Sequence, residues 1–292
     1  MNLLYITFGN EPSIYLQASF SVYSFLAQPQ AVHSINIITD KEYYYRHLAP
    51  HVNIIAVTQT ELTEWKGEYQ FFWRIKIKAL EKLCYLYPGQ PVMYIDCDTF
   101  LYGDAAVLQY NLQNGIALMH ENEGFLSGRK NKTQKNMWRQ IADKTFGNIA
   151  MQPSHNMWNA GVVATPNTQN VKDCELALRI CDEMCSQGIT PYFIEQFSLS
   201  LALEKYYSLQ EVKSAIVHYW SAKEIWNKHI SNFFIEAYFA QWQYKKIITQ
   251  LSNFDTSKLP VFQRVKNTNQ RLKAIIDSVF PNKNLQHLPK KE

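Results

Sequence analysis

Residues 91–104, PVMYIDCDTFLYGD, place two aspartates, Asp96 and Asp98, one residue apart at the end of the apolar run Val92–Ile95. A buried carboxylate without a partner is costly, and two side by side also repel each other. A divalent cation held between them and a ligand relieves both penalties. Mg²⁺ and Mn²⁺ suit carboxylates and commonly share their coordination shell with phosphate oxygens, so the pair points to a metal–diphosphate site. The other reading is a turn in which Asp98 caps the next segment; the apolar strand ahead of the triplet favours the metal.

The elements that must position this pair can be read from periodicity and turn signals. Residues 3–8 read as a strand ending at Gly9-Asn10, and residues 12–28 as a helix with a proline at its start. Residues 34–39 and 52–57 read as strands, the former ending at Asp40. Residues 71–87 read as a helix closed by Pro88-Gly89, and 92–95 as the strand that delivers the aspartates. Strands separated by helices imply a mostly parallel sheet with crossover helices, and such sheets bind ligands beyond the carboxyl ends of their strands. Gly9-Asn10, Asp40, Asp96 and Asp98 would then share one rim. Further on, 115–119, 161–164 and 215–219 read as strands and 171–187 and 194–205 as helices. Residues 120–157 are polar and read as a loop or lid.

Composition sets the class. The 292 residues are 47% hydrophobic and 18% charged, a globular and not a disordered balance. A net charge of +4 leaves no nucleic-acid footprint, although basic residues crowd the last fifty positions. The five cysteines are odd in number and form no C-x-x-C pair. They read as reduced, and the protein as cytosolic, with neither a signal peptide nor an apolar run of membrane-spanning length.

Several motifs now fall in one order. MYIDCDTFLYGD resembles the D-x-D segment of GT-A-fold glycosyltransferases, which transfer a sugar from a nucleotide-sugar donor. FFWRIKIKAL carries Arg74 on the helix before it; MWNAGVVATP carries Asn159, Ala160 and Gly161; IEQFSLSL carries Glu195 and Gln196; VHYWSAK carries His218 and Lys223. This order resembles the retaining group of bacterial lipooligosaccharide galactosyltransferases and glycogenin (glycosyltransferase family 8-like) over residues 1–230. The chain departs from that pattern in having Glu-Gln for Asp-Gln and Ser221 for a glycine after the histidine. Lys223 comes one position early, and Trp226 follows without the proline.

The resemblance implies an α/β fold of GT-A (Rossmann-like) type. A mixed, mostly parallel sheet flanked by helices would form a catalytic domain over residues 1–230, with a helical, aromatic-basic extension over 231–292. It implies a Mn²⁺ or Mg²⁺ ion held by Asp96, Asp98 and His218. Thr7, Asn10, Arg74, Lys78, Asp96, Asn159, Ala160, Gly161, Glu195 and Lys223 would lie against the donor, with Arg74 paired to Asp96. Gln196, Glu195 and Arg74 would act on the sugar. The implied donor is a nucleotide-diphospho-sugar, commonly a UDP-sugar, and the acceptor a glycan or lipid-linked glycan hydroxyl. The sugar would be hexose or N-acetylhexosamine, and the setting polysaccharide biosynthesis. The C-terminal region, rich in aromatics and lysines, reads either as a peripheral membrane contact or as a helical lid on the core.

Each residue also has a plain structural reading. His218 at the end of an apolar strand could be a satisfied core histidine, Lys78 a solvated helix residue, Trp158 a core ring and Glu195 a first-turn acid favoured by the helix dipole. Retention needs no strong base, whereas inversion would make Glu195 the base. Two rivals stand beside transfer. A haloacid-dehalogenase-type phosphatase fits poorly, because Phe100 stands where its motif needs Thr or Val. A non-catalytic nucleotide-sugar-binding protein shares the fold.

Overall fold

The computed structural model describes residues 1–169 and 171–262, together with Leu272, Ile275, Ile276 and Val279. In chain order the first elements are β1 (Asn2–Thr7), α1 (Pro12–Leu26), β2 (Ser34–Thr39), β3 (Asn53–Ala56), α2 (Gln59–Trp65), α3 (Arg74–Leu86), β4 (Val92–Ile95), β5 (Thr99–Leu101) and α4 (Ala105–Gln113). Then come β6 (Ile116–Phe125), α5 (Lys132–Ile141), β7 (Thr145–Phe146), β8 (Ile149–Ala150), β9 (Asn156–Thr165), α6 (Lys172–Ser186) and α7 (Ile194–Tyr206). The last are β10 (Ser208–Glu211), β11 (Ile216–His218), α8 (Lys223–Phe239) and α9 (Tyr244–Ser252).

Seven strands form one sheet in the order β10-β6-β9-β4-β1-β2-β3. The pairs β1–β2, β2–β3, β1–β4 and β6–β10 are parallel, while β9 runs antiparallel to both β4 and β6. This is the mixed, mostly parallel sheet that the alternation of strand and helix signals implies.

Helices cover both faces, which is why β1 and β4 are continuous apolar runs and not alternating ones. Successive residues of β4 enter opposite cores. Val92 and Tyr94 meet α3, α6 and α7, while Met93 and Ile95 meet α1 and α4. A third cluster packs Phe20 of α1 and Phe100 of β5 against Trp226, Ile230 and Phe233 of α8. α8 therefore spans positions 230 and 231 without a break.

Local chemistry sets the boundaries. The Thr58 and Glu61 side chains form a capping box that starts α2. Asp104, the last residue of the opening stretch, caps α4 by accepting from the Ala106 N–H at 2.8 Å. The structure differs from the sequence expectation in two places. Residue 71 is irregular and 72–73 are turn, so α3 begins at Arg74 itself. Residues 120–157 are no open loop: β6 continues to Phe125, α5 follows on an Asn131 cap, and a short β7–β8 hairpin completes the segment.

Trp226 ties α8 to the sheet. It is fully buried, lies 4.4 Å from the Tyr219 ring in a stacked pair, and donates its indole N–H to Pro260 O at 2.9 Å. Trp226→Ala is expected to cost about 3–5 kcal/mol in urea unfolding. A loss of under about 1 kcal/mol would mean that α8 is not anchored there.

Candidate functional site

The order in which parallel strands are added reverses about β1, since β2 and β3 extend the sheet on one side and β4 on the other. Open α/β sheets bind ligands at this switch point, beyond the strand carboxyl ends, and Asp96 is the first residue past β4. Two backbone pairings bring distant segments to it. The Asp96 N–H donates to Gly161 O of β9 at 2.8 Å, continuing the β4–β9 ladder. β5 pairs antiparallel with β11, with His218 opposite Thr99, and Tyr219 N–H donates to Asp98 O at 3.1 Å. The D-x-D turn is thus bracketed by Asn159–Gly161 and His218.

Asp96, Asp98 and His218 each offer one ligand atom, and these atoms lie within 4.8 Å of one another. His218 Nε2 is 3.4 Å from Asp98 Oδ2 and 3.8 Å from Asp96 Oδ2. The Asn159 side-chain oxygen accepts from Gly161 N–H at 2.9 Å and lies 3.1 Å from His218 Nδ1, so Nδ1 carries a proton and donates. Nε2 is therefore the atom turned toward the two carboxylates. Gly161 makes room for the imidazole, because a Cβ there would overlap the His218 ring at Nδ1.

This arrangement fits a divalent cation. Asp98 Oδ2 is buried without hydrogen-bond geometry to any partner, although Lys223 Nζ approaches to 2.9 Å. A lone pair on Nε2 facing two carboxylates is unfavourable unless a proton or a metal lies between them. Two carboxylate oxygens and an imidazole nitrogen, with the imidazole oriented through its other nitrogen by Asn159, make a suitable donor set for Mn²⁺ or Mg²⁺. Burial disfavours the charged Asp98, but His218 and Lys223 outweigh it and hold the carboxyl well below its ordinary range.

The positive charge opposite Asp96 comes from Lys76, a residue the sequence reading passed over. Its ammonium lies 3.2 Å from Asp96 Oδ1 and 3.2 Å from Glu195 Oε1, and donates to Ala160 O at 3.0 Å. Tyr94 donates its hydroxyl to Asp96 Oδ1 at 2.6 Å. Both could have been found. Lys76, Ala79, Leu80 and Leu83 follow helical spacing along a buried face, and Tyr94 precedes Asp96 by two residues on a strand. Burial raises Glu195, the Asp96 charge adds and Lys76 opposes, leaving its carboxyl pushed up to about 7.

Arg74 is corrected. It pairs with Asp182 of α6 through two bonds, of 2.7 and 3.0 Å, and donates to Trp65 O at 2.9 Å. Two residues along a helix turn a side chain by roughly 200°, so when Lys76 faces Asp96, Arg74 faces away. Lys78 pairs with Glu81 on its own helix. Thr7 is buried in a hydroxyl chain with Tyr45 and Thr39, and Asn10 accepts from Lys41 at 2.7 Å. Gly9, at φ +99°, sits in the same loop, where Asp40 accepts from its N–H and from Tyr15. Gln196 donates to Met157 Sδ at 3.1 Å. Trp158 is a core ring that donates to Glu204.

In front of the carboxylates lies a cavity of about 380 Å³ whose lining includes Phe8, Phe72, Trp73, Trp220, Lys76 and Lys223. Phe72, Trp73 and Trp220 are about half exposed, at 46%, 48% and 52%, leaving flat apolar faces at its mouth.

No protein-family model and no curated sequence matches the chain. Among solved structures it is similar to mouse xyloside xylosyltransferase 1, at 12% identity over 73% of this chain and 85% of that one, with a TM-score of 0.48. It is also similar to the galactosyltransferase LgtC with donor and acceptor sugar analogues, at 12% identity over 72% and 73%, with a TM-score of 0.49. A third is the glycosyltransferase GlyE of Streptococcus pneumoniae TIGR4, at 12% identity over 94% and 58%, with a TM-score of 0.44. Likeness at this level brings neither activity nor residue roles to this chain.

Two outcomes follow from the geometry. Gly161→Ala should displace His218 and weaken Mn²⁺ binding by about 10–100-fold in calorimetric titration, with the circular dichroism unchanged. Unaltered affinity would make His218 a core residue. Because folding raises the Glu195 carboxyl from 4.5 to about 7, the folded protein holds a proton that the unfolded chain has lost across that window, and stability falls as pH rises through it. Glu195→Gln should remove that slope, its melting temperature gaining on wild type between those pH values. A pH-independent difference would mean that Glu195 is ionised throughout.

Proposed function

We propose that the chain is a divalent-metal-dependent glycosyltransferase that moves a sugar from a nucleotide-diphospho-sugar to an acceptor hydroxyl. The carrying observation is the convergence of Asp96, Asp98 and His218, beside Lys223, on a cavity walled by aromatic rings. Asp96, Asp98 and His218 would hold Mn²⁺ or Mg²⁺, which when bound supplies positive charge to diphosphate oxygens. The rings of Phe72, Trp73 and Trp220 offer faces for a base or a pyranose.

The chain's own residues account for the rest. Lys223 is the first residue of α8, so its ammonium and the helix's positive end lie together beside Asp98. Both favour a departing diphosphate, whose charge grows as the sugar bond breaks. Lys76 and Tyr94 fix the Asp96 carboxylate by holding one oxygen, Oδ1, and leave Oδ2 on the side of His218. Glu195 is tied to Lys76 and buried, which favours a positioning role for it over that of a base.

Retention of configuration is the outcome this arrangement favours. Among the described residues lining the cavity, Asp96 and Asp98 are the only carboxylates, and both are committed to the cation cluster. With no other carboxylate at hand, the leaving diphosphate is the group placed to accept the acceptor's proton. The donor nucleotide expected from the sequence resemblance is UDP. Gln196, next to Glu195 on α7, is assigned to the sugar's anomeric side.

Release of nucleoside diphosphate from a panel of nucleotide-sugars, with Mn²⁺ and with excess chelator, tests the proposal. Asp98→Asn should lower release at least about a hundredfold, and chelator should do the same to wild type. Full activity in chelator would contradict the metal assignment. Proton NMR of the fresh product should show the donor's anomeric configuration kept. An inverted product, together with loss of turnover in Glu195→Gln at unchanged donor affinity, would make Glu195 the base.

A further inference from the structure

α1 stands between two cavities. Ile14 and Gln17 face the one in front of the carboxylates, whereas Tyr15, Ser19 and Tyr23, at helical spacing on another face, line a second. This second cavity has a volume of about 360 Å³, which suits a small ligand, and α8, α9 and the turn at 44–47 supply its other walls. The Tyr44 ring stacks on that of Tyr15 at 4.2 Å, and Trp242 packs edge to face with Phe233 at 5.6 Å; Tyr44 and Trp242 both stay half-buried. The polar groups among these rings are neutral. Ser19 and Tyr23 are 2% and 1% exposed, and neither hydroxyl has a hydrogen-bond partner among the described residues. Neither is sealed from solvent, so each opens on the cavity it lines. The described lining holds no Asp, Glu, Lys or Arg, and burial lowers the pKa of His47, which keeps that ring uncharged at neutral pH.

A ligand for this cavity needs an apolar face for the rings, hydrogen-bonding groups for Ser19 and Tyr23, and no charge. An alkyl chain would cover both hydroxyls without replacing the water they lose. A phosphorylated ligand would meet no cation in the described wall. A pyranose ring satisfies all three demands, with C–H faces to lie on aromatic rings and hydroxyls around its edge. We propose that this cavity is a second carbohydrate site, which binds a neutral hexose unit of a glycan and takes no part in the chemistry. Tyr15 joins it to the first cavity. Its ring walls the second, while its hydroxyl lies 2.7 Å from Gly9 O and 3.0 Å from Asp40 Oδ1, next to Phe8 of the first. That the site would hold an acceptor glycan close to the metal cluster rests on the transferase reading; the binding itself does not.

Calorimetric titration of the full chain with lactose, maltotriose and cellotriose, in excess chelator and without any nucleotide-sugar, tests this apart from catalysis. At least one of the three should bind. Tyr23→Phe and Ser19→Ala each remove only a hydroxyl, and each should weaken that binding roughly fivefold, with Mn²⁺ affinity and circular dichroism unchanged. Trp73→Ser with Trp220→Ser, at the mouth of the first cavity, should leave the binding in place. Absence of binding by all three sugars, or an affinity indifferent to both hydroxyl substitutions, would overturn the proposal. So would binding abolished by the Trp73/Trp220 substitutions, which would put the sugar in the first cavity. Decanol bound in place of the sugars, with an affinity that Tyr23→Phe leaves intact, would make the second cavity a site for apolar chains and overturn it as well.

Discussion

Two carboxylates at the end of a buried strand are the constraint on which the site depends. Asp98 is 4% exposed and Asp96 stands two residues away, so their repulsion is poorly screened by water. The fold answers with two ammonium groups and an imidazole, from three directions. Lys76 comes from α3, Lys223 from the start of α8 and the His218 ring from β11. Lys76 and Tyr94 use one oxygen of Asp96, while His218 Nε2 faces an oxygen of each aspartate. The result is a half-neutralised cluster with its remaining valence directed toward a cavity.

Backbone pairing makes that cluster possible. Asp96 continues the β4–β9 ladder, and β5 and β11 form a two-stranded sheet that carries His218 back to Thr99. Asn159, Ala160 and Gly161 each serve it: the first orients the imidazole, the second accepts from Lys76, and the third leaves space for the ring. The sequence resemblance implies donor contacts for them; the geometry displays their support of the metal-ligating residues. The aromatic core around Trp226 holds α8, and with it Lys223, against the same sheet.

The sequence made the strands legible because both faces of the sheet are covered, which turns β1, β2 and β4 into apolar runs with clear ends. The Asp-x-Asp pair was legible for the same reason. Lys76 was less legible because the resembled motif centres on an arginine, whereas the register of α3 places Arg74 and Lys78 off the face that meets Asp96. Lysine on a helix is ordinarily solvated, and only its spacing with Ala79, Leu80 and Leu83 marks it as buried. The segment 120–157 read as irregular because β6 is exposed beyond His120 and loses its apolar pattern there, while its pairing with β9 persists. Of the basic residues noted toward the carboxyl end, Arg264, Lys266, Arg271, Lys273, Lys283, Lys290 and Lys291 lie outside the described residues.

The central claim is that Asp96, Asp98 and His218 together hold one divalent cation. Anomalous diffraction at the manganese edge, from crystals grown with Mn²⁺ and a nucleoside diphosphate, addresses it directly. The account predicts a single strong peak within about 2–2.5 Å of an oxygen of each aspartate and of His218 Nε2. A peak elsewhere, or no peak with Lys223 still seated on Asp98, would contradict it.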